Sequence, residues 1–301
     1  MGHTIRLATR RSPLALAQAN HVRSLLLERN SDVDVEIVGI TTSGDRSATS
    51  PSQALSGKGD FLKELELALL DQSADLAVHS MKDVPSSTPK GLRISAIGNR
   101  EDARDALIGV KSLSELTADS CIGTSSARRR ALLKHVVNRS NIKPIRGNVE
   151  TRLAKLDNQE VDALVLACAG LSRLGLEQRI GCCLDPSIFV PAAGQGCLAV
   201  EHRTDDELIK RIVDPLTSQP TSAVADCERA VVRELQADCN APMGVYCVQL
   251  GSIFQLHAVV LDPSGDHSVR VSLTDQSSST LADRAAGQLI AMGALDLIKS
   301  T

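Results

Sequence analysis

The chain has no tryptophan, one tyrosine (Tyr246) and three phenylalanines (Phe61, Phe189, Phe254) in 301 residues. So few aromatic rings leave no platform on which bases could stack. A net charge of −3 also lacks the electrostatic footprint of a general nucleic-acid binder. No apolar run is long enough to cross a bilayer, and no basic start leads into an apolar export signal, so a cytoplasmic location is expected. Eight cysteines are present (Cys121, Cys168, Cys182, Cys183, Cys197, Cys227, Cys239, Cys247), but none form a C-x-x-C pair and their spacing fits no zinc or disulfide framework. In a reducing compartment most should be small buried hydrophobes. Gly57-Lys58-Gly59 lacks the spacing and the Ser/Thr of a phosphate-binding loop, and no metal-ligand set stands out, which argues against phosphoryl transfer.

What is there builds a soluble protein. Apolar residues make up 43% of the chain, enough for two or three domains with cores of Leu, Val, Ile and Ala. Ile5–Thr9 reads as a strand. Ser12 as a cap with Pro13 behind it starts a helix to Glu28. Val33–Ile40 alternates like a strand, residues 41–59 form a long polar loop of the kind that covers a site, and Phe61–Leu70 is an amphipathic helix. Leu76–Val78 and Leu92–Ile97 complete a first set of strands. A second set follows: Cys121–Gly123 before a helix to about Val137, Ile142–Ile145 before a helix to about Leu156, and Ala163–Ala167 before Gly170–Gly175. Strand, turn and helix recur in both, which predicts two related α/β domains with mainly parallel sheets. Asp214–Ser222 reads as a linker. Beyond it come a helix over Ala223–Gln236, a loop over Ala237–Gly244, strands at Val245–Leu250, Ile253–Leu261 and Ser268–Leu273, and a closing helix over Leu281–Ile298, together a small α+β domain.

Three features point to chemistry. The buried strand within Asp75–Pro85 surfaces at His79, Ser80, Lys82 and Asp83, where α/β folds bind ligands. Lys82 suits an anion and Asp83 an N–H donor; a Lys–Asp pair stabilising its own turn explains them equally well in isolation. Second, cations cluster at helix starts, which normally prefer acids. Arg128, Arg129 and Arg130 follow Thr124-Ser125-Ser126, Arg152 follows Arg146-Gly147-Asn148, and Arg10 and Arg11 precede Pro13. Solvation or local pairing accounts for Arg11 and Arg130, but three such turns together predict a ligand with several carboxylates, which arginine binds bidentately. Third, Cys239 lies in a loop rather than an apolar strand; spacing alone leaves it more readily a buried inert thiol than a reactive one.

These stretches resemble the porphobilinogen deaminase family. The matching motifs are Ala8-Thr9-Arg10-x-Ser12-Pro-Leu-Ala, Gly57-Lys58-Gly59-x-Phe61-x-Lys63-Glu64-Leu65-Glu66, Ala77 through Pro85, Gly123-Thr124-Ser125-Ser126-x-Arg128-Arg129, Arg146-Gly147-Asn148-Val149-x-Thr151-Arg152, Ala169-Gly170-Leu171-x-Arg173-Leu174, Pro191-x-x-Gly194-Gln195-Gly196 and Cys239-x-x-Pro242. They run in family order from residue 5 to about 245, and beyond 250 only the pattern matches.

The resemblance implies two domains like the halves of a periplasmic binding protein, residues 1–98 with 192–215 and residues 99–191, and a small α+β domain over 219–301. It places the active site in the cleft between the first two. It implies a dipyrromethane cofactor held by a thioether to Cys239, onto which four porphobilinogen molecules condense with loss of ammonia before hydrolysis releases hydroxymethylbilane. By the same resemblance, Asp83 is the catalytic carboxylate facing pyrrole N–H groups. Ser80, Lys82, Thr124, Ser125, Ser126, Arg128 and Arg129 hold the cofactor carboxylates. Arg10, Ser12, Arg146, Arg152, Arg173 and Gln195 bind substrate or the growing chain, with Lys58 on the covering loop and Phe61 against a pyrrole. It implies a monomer, with neither nucleic acid nor membrane as partner and no metal. Two stretches depart from the pattern: Ala237-Asp238 stands where Gly-Gly is usual, stiffening the loop before Cys239 and adding a negative charge, and Asp60 replaces an apolar residue. The alternative is a non-catalytic two-lobed protein that binds a dicarboxylate. It would need the arginines but neither Cys239 nor a third domain.

Overall fold

The protein is described by a computed structural model covering residues 3–43, 62–138, 141–238 and 241–299. Its strands are β1 (His3–Arg10), β2 (Val33–Ile40), β3 (Leu76–Ser80), β4 (Leu92–Ile97), β5 (Asp105–Ile108), β6 (Ile122–Gly123), β7 (Ile142–Lys143), β8 (Ala163–Ala167), β9 (Cys182–Cys183), β10 (Leu198–Arg203), β11 (Met243–Leu250), β12 (Ile253–Leu261) and β13 (Ser268–Asp275). They form two five-stranded sheets and one three-stranded sheet. The chain divides into a unit of residues 1–100 with 197–222 and a unit of residues 101–196 with 223–301.

In the first unit the order is β2-β1-β3-β10-β4. The first three strands are parallel, while β10 is antiparallel to both β3 and β4. On one face Leu76, Val78, Leu198 and Val200 meet the Ala19, Val22 and Leu26 stripe of helix Pro13–Arg29. That helix starts as its sequence predicts, with Ser12 Oγ accepting from the Ala15 amide and proline in the first turn. On the other face Ala8 and Ala77 pack under Leu65 and Leu69 of helix Lys63–Leu70.

In the second unit the order is β7-β6-β8-β5-β9. Again three strands are parallel and the fourth, β5, runs antiparallel to its neighbours. The two sheets thus repeat one plan, as expected from the recurring strand–turn–helix pattern. β11, β12 and β13 form an antiparallel meander covered by helix Ser278–Ala291. Val259 and Leu261 of β12 also enter the core beneath Leu107, Ile122 and Leu132, so the small sheet and the second large one share apolar packing.

Several sequence expectations are corrected. The sheets are mixed rather than mainly parallel, because β10 and β5 insert antiparallel to their neighbours; with buried Asp105, Glu201 and His202 they do not read as apolar strands. β7 stops at Lys143, since Pro144 has no amide to continue the ladder. The 214–222 stretch is folded: Thr217 pairs with Ile97, Thr221 Oγ1 donates to the Gly98 carbonyl at 2.9 Å, and a helix already begins at Gln219. The closing helix is two, Ser278–Ala291 and Ala294–Lys299, broken where Gly293 adopts φ 93°.

Candidate functional site

Each large sheet delivers polar groups at the C-terminal ends of its parallel strands. In the first unit β3 lies between β1 and β10, so its first four residues are buried on both faces and only Ser80 begins to surface. The Met81 amide still pairs with the Cys197 carbonyl at 3.0 Å, and a 3-10 turn over Met81–Asp83 then lifts Lys82 and Asp83 out of the sheet, both half-buried. The parallel register that sets Ala8 beside Ala77 carries Arg10 to the same level. One pocket is lined by Arg10, Ser12, Gln18, His79, Ser80 and Asp83, among others. The fold thus gathers four predicted residues, Arg10, Ser12, Ser80 and Asp83, in one unit, with Lys82 on the same turn. Ser12 is half-engaged, since its hydroxyl caps the helix behind the pocket.

Gln18 was not anticipated. It is buried at 3% exposure, and its Nε2 donates to Ser80 Oγ at 2.7 Å, fixing the serine's lone pairs. The legible signal was an amide on the helix stripe that otherwise carries Ala19, Val22 and Leu26.

In the second unit three parallel strands end in three loops. β6 runs into Thr124-Ser125-Ser126, and Ser126 caps helix Ala127–Val137 through the Arg129 amide. Ser125 Oγ donates to the Ile145 carbonyl at 2.8 Å, tying this loop to the next. There Gly147 has φ 110°, and a Cβ on it would sit 2.8 Å from the Thr151 side chain, so glycine is required. Asn148 then caps helix Val149–Asp157, Arg152 Nε donates to the Gly147 carbonyl at 2.8 Å, and Arg146 is exposed. β8 leads through the short helix Cys168–Ser172 to Arg173, which binds Glu101 at 3.0 Å and the Gly196 carbonyl at 2.8 Å.

The cations of helix Ala127–Val137 are placed otherwise than the sequence suggested. Arg128 and Arg129 are buried at 5% and 6% exposure, and the anion they require is Asp105 of β5, itself fully buried. Arg128 Nη1 donates to Asp105 Oδ2 and to the Val190 carbonyl, both at 2.7 Å. Arg129 donates from Nε and Nη2 to Asp105 Oδ1 and from Nη1 to the Val165 carbonyl. Burial alone would raise the Asp105 carboxyl, but the two guanidiniums outweigh it and hold it well below the usual carboxylate range. Gln195 joins the same cluster, buried at 1%, its Nε2 donating to the Ala103 carbonyl and to Asp105 Oδ1. The fold thus gives Gln195 a supporting place beneath the arginines. Sequence reading passed over Asp105 because nothing local marks a lone aspartate as a buried counter-ion. Arg11 and Arg130 are exposed, Arg11 donating to the Gly39 carbonyl.

Cys239, Lys58, Phe61 and Asp60 lie outside the described residues. Up to Asp238 the approach to Cys239 is well defined. Gln236 turns the chain at φ 48°, the Ala237 amide donates back to the Val232 carbonyl, and Asp238 Oδ1 accepts from the Ala241 amide at 3.0 Å. Ala237 is buried, so this departure from Gly-Gly gains a methyl in the core and a carboxylate that braces the loop. Of the other cysteines, Cys168, Cys197, Cys227 and Cys247 are buried and Cys121, Cys182 and Cys183 half-buried. Burial and the neighbouring Cys183 push the Cys168 thiol far up, as an inert core thiol requires.

Comparison with known proteins decides among the readings. Residues 5–211 match the family model described as porphobilinogen deaminase, dipyromethane cofactor binding domain, and residues 223–291 match porphobilinogen deaminase, C-terminal domain. The chain belongs to the porphobilinogen deaminase family. The porphobilinogen deaminase of Paraburkholderia phymatum is 41% identical across 99% of this chain and 93% of its own, and that of Paraburkholderia phytofirmans 41% identical across 99% and 89%. Among solved structures, the methionine binding protein MetQ is 17% identical over 72% of this chain and 91% of its own at a TM-score of 0.43, too distant to inform the chemistry.

Proposed function

We propose that this protein condenses four porphobilinogen molecules head to tail, with loss of ammonia at each addition, on a dipyrromethane carried by Cys239, and then releases hydroxymethylbilane by hydrolysis. The observation that carries the reading is Asp83 set among Arg10, Ser12 and Ser80 where the central strand leaves the sheet. A pyrrole bearing acetate and propionate groups needs cations and hydroxyls for its carboxylates and one acceptor for its N–H, and this donor set supplies both.

When bound, the dipyrromethane supplies the nucleophilic ring carbon that starts the chain. The protein's part is binding and charge. Asp83 accepts from pyrrole N–H groups and stabilises the positive charge that develops as ammonia leaves. Ser80, with its hydroxyl fixed by Gln18, and Lys82 bind carboxylate. Thr124, Ser125 and Ser126 also bind carboxylate. Arg128 binds carboxylate with the part of its guanidinium that Asp105 and Val190 do not engage. Arg129, whose three guanidinium nitrogens donate to Asp105 and the Val165 carbonyl, holds the helix start in place with Gln195 behind it, and its remaining N–H groups bind carboxylate. Arg10, Ser12, Arg146, Arg152 and Arg173 bind substrate and the growing chain, Lys58 belongs to the covering loop and Phe61 packs on a pyrrole. The three sheets correspond to three domains, the protein acts as a cytoplasmic monomer, and neither nucleic acid nor a membrane takes part.

Intact mass tests this. Protein made with porphobilinogen available should carry an added mass of two linked pyrroles, absent from Cys239→Ser, and Asp83→Asn should keep that mass yet lose turnover by about a hundredfold or more. An unmodified wild-type mass would turn the reading to a plain dicarboxylate binder.

A further inference from the structure

Beneath the Asp83 pocket lies a buried acid–base cluster to which no role has yet been given. His79 and Glu201 are diagonal neighbours on one sheet face, for in the antiparallel β3–β10 register His79 faces Ala199 and Glu201 faces Ala77. His79 Nε2 and Glu201 Oε2 are 3.1 Å apart, with the side chains only 5% and 0% exposed. Alanines at 77 and 199 leave room for both, and helix Lys63–Leu70 covers that face through Leu65 and Leu69. The second oxygen of Glu201, Oε1, is buried and has no hydrogen-bond partner among the described residues, so it is open to accept a proton or a bridging donor. His79 also lines the pocket that contains Asp83. The cluster therefore opens to the pocket at one end and to a helix near the surface at the other.

We propose that His79, Glu201 and Glu66 form a proton relay for the condensation, with His79 receiving the proton at the pocket, Glu201 as its buried counter-charge and Glu66 as the exchange point with solvent. The inference rests on the deaminase reading. In each condensation the C–N bond of the substrate's ammonium-bearing methylene breaks, and its electron pair leaves with ammonia. A C–C bond forms with the ring carbon of the acceptor pyrrole. The C–H bond of that carbon then breaks, its electrons return to the ring and its proton goes to His79. One proton later joins ammonia as ammonium, so atoms and charge balance with no other reactant. Asp83 is occupied as the acceptor for pyrrole N–H, whereas His79 brings an imidazole, 3.1 Å from the Glu201 carboxylate, to the lining of the same pocket.

The charged groups around His79 are Arg10 from β1, Lys82 and Asp83 from the turn, Glu201 from β10 and Glu66 from helix Lys63–Leu70. From β4 only Ile94 comes opposite Glu201. Burial first, and then the charge of Glu201, push the Glu66 carboxyl up from its ordinary value, with His79 opposing. Half-buried on the helix that covers this sheet face, a carboxyl shifted in that direction can exchange a proton with solvent.

Glu66→Gln tests the relay, since it keeps volume at a half-buried site and should fold. It should carry the same added cofactor mass as wild type and keep KM within about twofold. Its kcat should fall at least about tenfold, with a displaced pH profile and a larger solvent deuterium effect. The difference infrared spectrum between mildly acid and mildly alkaline solution should lose a carboxylic-acid carbonyl band that wild type shows. Glu201→Gln should reproduce the kinetic changes. A Glu66→Gln enzyme with the pH profile, deuterium effect and infrared difference of wild type overturns the relay and leaves the deaminase reading intact. A wild-type protein with no added mass and no turnover defeats that reading instead.

Discussion

A carboxylate buried between two guanidiniums ties its own ionisation to the folding of the second unit. Asp105 is held below the ordinary carboxylate range by Arg128 and Arg129 against the opposing effect of burial. A carboxylate depressed in the folded state contributes stability that is present above its unfolded value, about 4, and is lost as pH falls from there toward the folded value. Replacing it leaves two buried cations without a counter-ion, a loss of about 3–5 kcal/mol. Urea denaturation of Asp105→Asn at pH 7 should show that loss, and at about pH 3 the gap to wild type should narrow because Asp105 of the unfolded wild-type chain takes up a proton while the folded one stays ionised. A variant within about 1 kcal/mol of wild type at neutral pH would mean that the arginines find other partners. The same residue shows the limit of local reading: arginines at a helix start pointed to a ligand with carboxylates, and nothing nearby in the sequence told that Asp105 of β5 would meet Arg128 and Arg129.

At the scale of elements, helix Gln219–Glu234 is fastened through Glu228. Its carboxylate is fully buried and accepts from the Gly194 amide at 2.6 Å and the Cys247 amide at 2.7 Å, joining the helix to the Pro191–Gly196 loop and to β11. Glu228→Gln turns one acceptor into a donor facing an N–H group, so it should cost about 2–3 kcal/mol. Thermal melting would show this as a drop of several degrees, and an unchanged midpoint would mean that the loop has repacked. Helix starts at Ser12, Ser126 and Asn148 were legible because a cap and its amide lie within three residues of each other. β5 and β10 were not, because a strand with a buried charge has no apolar signature.

For the whole molecule, a group bound only by the folded state stabilises it by mass action or by covalent attachment. Cofactor-loaded protein should therefore melt at least about 5 °C above Cys239→Ser, measured side by side. Equal midpoints would mean that the folded binding groups do not hold the cofactor. Features that depend on neighbours along the chain are legible in it: the α/β class, the capped helix starts, the surfacing of Ser80, Lys82 and Asp83, and the ordered motifs of the family. Which polar groups answer one another is settled by the fold. His79 meets Glu201 across 122 positions and Gln195 meets Asp105 across 90. The physical reason is that a buried charge is tolerated only with a partner, and that partner is chosen by sheet order and register, which no local pattern records.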